Sequence, residues 1–135
     1  MKKWLPLLLC SALCFGGCGG APTQSPTPNG TYRQISREEA EALMQSESGY
    51  IILDVRRPDE FAKGHIPGAI NIPNESIGSE EIPALPDKQQ LILVYCRSGR
   101  RSKEAAAKLV KLGYTNVVEF GGIQDWKGEI VTENN

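Results

Sequence analysis

The chain has 135 residues, of which 40% are hydrophobic and 23% charged, with a formal net charge of −1 at pH 7. That length has room for one domain. The near-neutral balance gives no pointer to a nucleic-acid partner, and there is no internal repeat.

Residues 1–18 read as a leader rather than as part of the fold. Lys2 and Lys3 form a positive start, and Trp4 to Phe15 is a mostly apolar run of 12 residues. As a helix that run reaches ~18 Å, short of a hydrocarbon core of ~30 Å, so a signal peptide is expected and not a membrane span. The leader ends in Phe15-Gly16-Gly17-Cys18. Small residues directly before a cysteine resemble the lipobox of bacterial lipoproteins, although Phe15 stands where Leu is usual. The resemblance implies that Cys18 is diacylated and becomes the mature N-terminus. The protein is then exported and lipid-anchored to a bacterial membrane, on the periplasmic or extracytoplasmic face. The alternative is an ordinary secretory signal cleaved near Gly20 or Ala21. Three of the four cysteines lie in this leader, so acylation at Cys18 leaves Cys96 as the single free thiol. Residues 19–30, GGAPTQSPTPNG, are too rich in Gly, Pro and small polar residues to bury a core, and a flexible linker is expected there.

A domain is expected over residues 31–135. Ser36-Arg37-Glu38-Glu39 has the S-x-x-E spacing of a capping box and opens a helix through about Gln45, with Ala40, Leu43 and Met44 on its inner face. Tyr50-Ile51-Ile52-Leu53 is a buried strand that delivers Asp54-Val55-Arg56. Pro58 suits the first position of a short helix through Lys63. Gly64 to Ala69 is a turn, and Ile70-Asn71-Ile72 a short strand. Residues 74–90 are polar and punctuated by proline, with one short helix expected near Ser79–Leu85. Leu91 to Tyr95 is apolar without interruption, the pattern of a strand buried on both faces. From Ser102 the period changes: Ser102, Ala105, Ala106, Leu109 and Val110 fall on one helical face. Val117 to Phe120 is a further strand, Gly121-Gly122 a turn, and Ile123–Trp126 a short helix able to bury Trp126. Strands alternating with helices through short turns indicate an α/β domain with a mainly parallel sheet. In such sheets sites lie at the carboxyl ends of strands, where Cys96, Asp54 and Arg56 all fall.

Cys96 carries the chemistry. It ends the most apolar strand and precedes Arg97-Ser98-Gly99-Arg100-Arg101-Ser102 at the start of a helix. The first helical turn leaves N–H groups without partners and adds partial positive charge. Gly99 lets the loop curl so that successive N–H groups point inward as an anion nest. Three arginines add charge that favours a thiolate over a thiol. The alternative is an inert core cysteine. A core position, however, needs neither three arginines nor a glycine in the next six residues.

Taken together, Asp54-Val55-Arg56, Glu60-Phe61, Gly64 to Ala69, Asn71-Ile72-Pro73, Tyr95 to Gly99, Arg101-Ser102 and Gly121-Gly122-Ile123 with Trp126 resemble a single-domain rhodanese over about Tyr32 to Val131. The resemblance implies a five-stranded parallel sheet flanked by helices. It implies that Cys96 takes a sulfane sulfur from a donor such as thiosulfate and passes it, as a persulfide, to cyanide or a thiol, including a protein thiol. Arg97, Ser98, Gly99, Arg100, Arg101 and Ser102 are then expected to bind the anionic donor. Asp54 and Arg56 are expected to pair and support the loop. His65, the only histidine, is read as a hydrogen-bonded structural residue with general-base catalysis as the alternative. That chemistry needs no metal or organic cofactor, and residues after 18 hold no Cys/His cluster to ligate a metal. A monomeric domain is expected.

Two rival functions remain. Phosphatases and arsenate reductases of the same fold use a C-x5-R loop, which would place the arginine at position 102. Here Ser102 stands there and the arginine is Arg101, one residue earlier. The second rival is a binding module or a persulfide carrier without turnover. The complete loop around Cys96 argues against a module that lacks chemistry.

Overall fold

The computed structural model describes residues 31–133. The leader over 1–18 with its Cys18, and the linker over 19–30, lie outside the described residues. The chain forms β1 (Arg33–Gln34), α1 (Arg37–Ser46), β2 (Ile51–Asp54), α2 (Pro58–Lys63), β3 (Ile70–Asn71), β4 (Ile92–Cys96), α3 (Arg100–Lys111) and β5 (Val117–Gly122). Two 3-10 turns, Asn74–Ser76 and Ile123–Asp125, follow β3 and β5. One five-stranded sheet has the order β1-β5-β4-β2-β3, with every pairing parallel. The five-stranded parallel sheet flanked by helices is the architecture expected from the sequence.

β4 is the axis of this arrangement. Its five residues are all buried, which an apolar run in the centre of a covered parallel sheet requires. Side chains alternate across a strand. Ile92, Val94 and Cys96 therefore enter one core with Ala105, Ala106 and Leu109 of α3. Leu93 and Tyr95 enter the other with Ala40 and Leu43 of α1 and Phe61 of α2. That parity puts the Cys96 sulfur on the same face of the sheet as α3, at its N-terminal end.

The helices start where their sequences say. Ser36 Oγ accepts from the Glu39 N–H at 3.1 Å, and the Glu39 carboxylate accepts from the Ser36 N–H at 2.8 Å, closing the capping box. Pro58 opens α2.

Three expectations are corrected. There is no helix at Ser79–Leu85; the short 3-10 segment of that region lies earlier, at Asn74–Ser76. Pro83 and Pro86 lack the N–H groups that a helix would need there. Ile77 and Leu85 instead pin the segment, 3% and 0% exposed. Gly121 and Gly122 are not a turn after the last strand but its final two residues. Val94 pairs with Glu119 while Cys96 pairs with Gly122, so β5 holds one residue more than β4 over that interval. The extra residue is absorbed at Gly121, whose φ of 95° suits glycine at a bulge. Trp126 is half-buried against the Phe120 side of the core rather than fully enclosed.

Candidate active site

The end of β4 fixes the backbone of Cys96, and the residue is 1% exposed at the base of the loop. The chain then turns through Arg97 and Ser98 to Gly99, which has φ 110° and ψ −14° and is the N-cap of α3. A residue with a Cβ is strained in that conformation. The curl points the Gly99 N–H back at the sulfur, with N to Sγ at 3.0 Å. This is the first element of the nest read from the sequence. The first turn of α3 follows directly from Gly99, and its leading N–H groups have no carbonyl partner within the helix.

The loop is held from beneath by a carboxylate that the sequence reading took only as a strand residue. Glu119 of β5 is 2% exposed. Its Oε1 accepts from the Ser102 hydroxyl at 2.7 Å and from the Gly121 N–H at 2.8 Å. The Ser102 hydroxyl also lies 3.0 Å from the Gly99 carbonyl oxygen. Ser102 is therefore wholly buried in the loop's support. A charged residue inside an otherwise apolar strand was the available signal, because a buried carboxylate must find donors. From the side, β5 presses directly on the loop: a Cβ at Gly122 would fall 2.1 Å from the Arg97 carbonyl oxygen. The Gln124 N–H donates to that same oxygen at 3.2 Å.

The sequence-predicted arginines divide. Arg97 is exposed at the mouth of the site. Arg100 faces solvent, its side chain 87% exposed and 3.6 Å from Glu104 one turn along α3. Arg101 makes a two-pronged ion pair with Glu60 of α2, at 2.8 and 3.0 Å. The Arg101 guanidinium holds the Glu60 carboxyl down at about 2, well below the usual carboxylate range. Glu60 was visible in the sequence only as part of a motif, because its partner lies 41 residues away.

Asp54 and Arg56 do pair, as expected. Asp54 is fully buried, and its Oδ2 accepts from Arg56 Nη2 at 2.6 Å. The Arg56 N–H donates to Asp54 Oδ1 at 2.9 Å, which fixes the turn after β2. Arg56 Nη2 also donates to the Gly64 carbonyl at 2.7 Å. Burial opposes the Arg56 charge, and the hydrogen bonds and charge of Asp54 more than offset it, so the guanidinium pKa is raised. Asn71, given no role from sequence, clamps the same turn by donating to the Asp54 and Arg56 carbonyls at 3.0 and 2.8 Å.

His65 is buried and engaged in contacts with Phe61 and Val131. Its ring stacks on Phe61 with centroids 3.7 Å apart, and Nδ1 donates to the Phe61 carbonyl at 2.8 Å. Its backbone pairs with Val131 in an antiparallel bridge. Those contacts are structural, and none reaches the loop. Among the described residues no group of three His, Cys, Asp or Glu could hold a metal ion.

An open depression of roughly 700 Å³ leads to the loop, lined by Arg56, Arg57, Glu60, Lys63, Arg97 and Arg101 with Ile123 and Gln124. Three of its five cations are paired with Asp54, Asp59 or Glu60, and the surplus positive charge of the other two, Lys63 and Arg97, makes it attractive to an anion. The arrangement is thus a buried thiol, an N–H aimed at its sulfur, and a cationic depression beside the loop.

Comparison with known proteins agrees with this geometry. The model of the rhodanese-like domain matches residues 36–129. Thiosulfate sulfurtransferase PspE of Escherichia coli (strain K12) is 41% identical over 73 residues, which cover 54% of this chain and 70% of PspE. A candidate sulfur carrier protein of Bacillus subtilis (strain 168), YrkF, is 37% identical over 98 residues, 71% of this chain and 51% of YrkF. A rhodanese from E. coli solved with anions superposes with a TM-score of 0.57 at 37% identity, covering 62% of this chain and 99% of the other. By fold, motif order and sequence, the chain belongs to the rhodanese-like domain family.

Proposed function

We propose that this protein is a sulfurtransferase that carries a sulfane sulfur on Cys96. The observation that carries the reading is the Gly99 N–H held 3.0 Å from the Cys96 sulfur, in a loop whose Arg97 and Arg101 line a cationic depression. The thiolate attacks the outer sulfur of thiosulfate. The S–S bond of the donor breaks, and its electron pair leaves with sulfite. The new terminal sulfur on Cys96 carries the negative charge that the loop N–H groups stabilise. Cyanide or a thiolate then attacks that sulfur and restores the Cys96 thiolate. Arg97 and the loop backbone from Ser98 to Ser102 receive the anion in this reading.

Two observations weigh against a phosphatase. The loop closes with Arg101, one residue short of the phosphatase spacing, and its guanidinium is already engaged by Glu60. A carrier without turnover is the second reading, favoured by the similarity to YrkF. Steady-state assay with thiosulfate and cyanide separates these. Ping-pong turnover with thiocyanate production supports the enzyme. A single discharge without turnover supports the carrier, and aryl-phosphate hydrolysis lost in Cys96→Ser supports the phosphatase.

In the same reading, residues 1–18 act as an export leader and the protein is anchored outside the cytoplasmic membrane by a lipid on Cys18, a proposal that rests on the Gly16-Gly17-Cys18 sequence. Palmitate labelling of the full chain tests this. Loss of label in Cys18→Ser supports the anchor, and retained label overturns it.

A further inference from the structure

Five cations line the approach to Cys96, but they are not equally available. Arg56 is committed to buried Asp54 at 2.6 Å. Arg57 is held by Asp59 at 3.0 Å and by Glu60 at 3.4 Å. Arg101 is clamped by both oxygens of Glu60. Each of these is paired with a carboxylate. Among the described residues only Arg97 and Lys63 line the depression without an ion-pair partner.

Those two cations approach from different elements. Arg97 follows the nucleophile directly, and Lys63 closes the last turn of α2. Both are exposed, so their charges meet an incoming ligand before any is buried. Lysine is a compact point charge on a flexible stem, able to follow a small anion without a fixed geometry. Two free positive charges match a dianion.

Resting on the sulfurtransferase reading above, we infer that Lys63, with Arg97, takes the sulfonate end of a dianionic sulfane donor and turns its outer sulfur toward Cys96. The thiolate forms its bond to that sulfur, the donor S–S bond breaks, and the pair departs on sulfite. Lys63 therefore acts in loading. The second half-reaction brings a small acceptor with one charge or none to a sulfur already in the loop, and does not call on it.

The test separates the halves. Lys63→Met, Lys63→Arg and, as a remote control at the far end of α3, Lys111→Met are mixed with thiosulfate, and persulfide formation is followed by rapid-quench intact mass. Preloaded protein is then discharged with cyanide. Sulfate, an unreactive dianion, is titrated by NMR into the same substitutions in a Cys96→Ser background. Lys63→Met is expected to load about tenfold more slowly, to weaken sulfate binding to a similar degree, and to discharge at the wild-type rate. Its loading rate should also fall less steeply with ionic strength. Lys63→Arg and Lys111→Met should stay near wild type. Loading within twofold of wild type, or a loss shared equally by discharge, overturns the assignment. If wild type never loads while sulfate binding still depends on Lys63, the anion site stands and the sulfurtransferase reading fails.

Discussion

Gly122→Ala is the perturbation that reads the loop most directly. Gly122 has φ −126°, so alanine meets no backbone strain there. Its difficulty is space. The added Cβ would lie 2.1 Å from the Arg97 carbonyl oxygen, 2.5 Å from its carbon and 2.6 Å from the Ser98 Cα. All three are backbone atoms of the loop, so no side chain can swing aside. Restoring a contact near 3 Å moves the loop by about 1 Å, and a shift of that size at a reacting centre costs on the order of 10²-fold in rate. The overpacking itself costs roughly 1–3 kcal/mol of stability. The assay is kcat/KM for thiosulfate and cyanide beside the urea midpoint. Gly113→Ala is the control: Gly113 has φ 99° with nothing near its Cβ, so alanine there is strained but touches no loop atom. That variant should lose about 1–2 kcal/mol and keep its kcat/KM. Wild-type kcat/KM in Gly122→Ala, or an equal loss in both variants, would refute the reasoning that β5 sets the loop's position.

Two further predictions concern the frame. Asp54→Ala strands the buried Arg56 charge and should cost about 3–5 kcal/mol in urea denaturation, with part recovered in Asp54→Ala/Arg56→Met; a loss under 1 kcal/mol contradicts the role of the pair. Glu60→Ala should cost roughly 1.5–3 kcal/mol at pH 7 by freeing Arg101. The folded Glu60 carboxyl titrates near 2, below its ordinary value of 4.5. Its contribution is therefore complete above about pH 4.5 and is lost as the pH falls toward 2. The gap between wild type and Glu60→Ala should close over that window, and a gap that persists at pH 2 contradicts the pair.

Much of this was legible in the sequence because local physics wrote it there. The apolar run into Cys96 could only be a covered central strand, and S-x-x-E and Pro58 marked two helix starts. Arg56 follows Asp54 by two residues, so their pairing was within reach of a local reading. What escaped depended on distant partners. β1 is two residues long and has no visible period; it exists because β5 offers an edge. Glu60 takes its meaning from Arg101, and Glu119 from Ser102, both brought together by the sheet. Gly121-Gly122 looked like a turn because adjacent glycines usually are one. Here they form a bulge that lets two backbones touch.

Intact-mass measurement of the soluble domain before and after thiosulfate tests the central claim. The account predicts a gain of one sulfur atom on the peptide containing Cys96, its removal by cyanide as thiocyanate, and no gain in a folded Cys96→Ser variant. A wild type that gains no sulfur from thiosulfate or a persulfide donor, or a Cys96→Ser variant that still does, contradicts it.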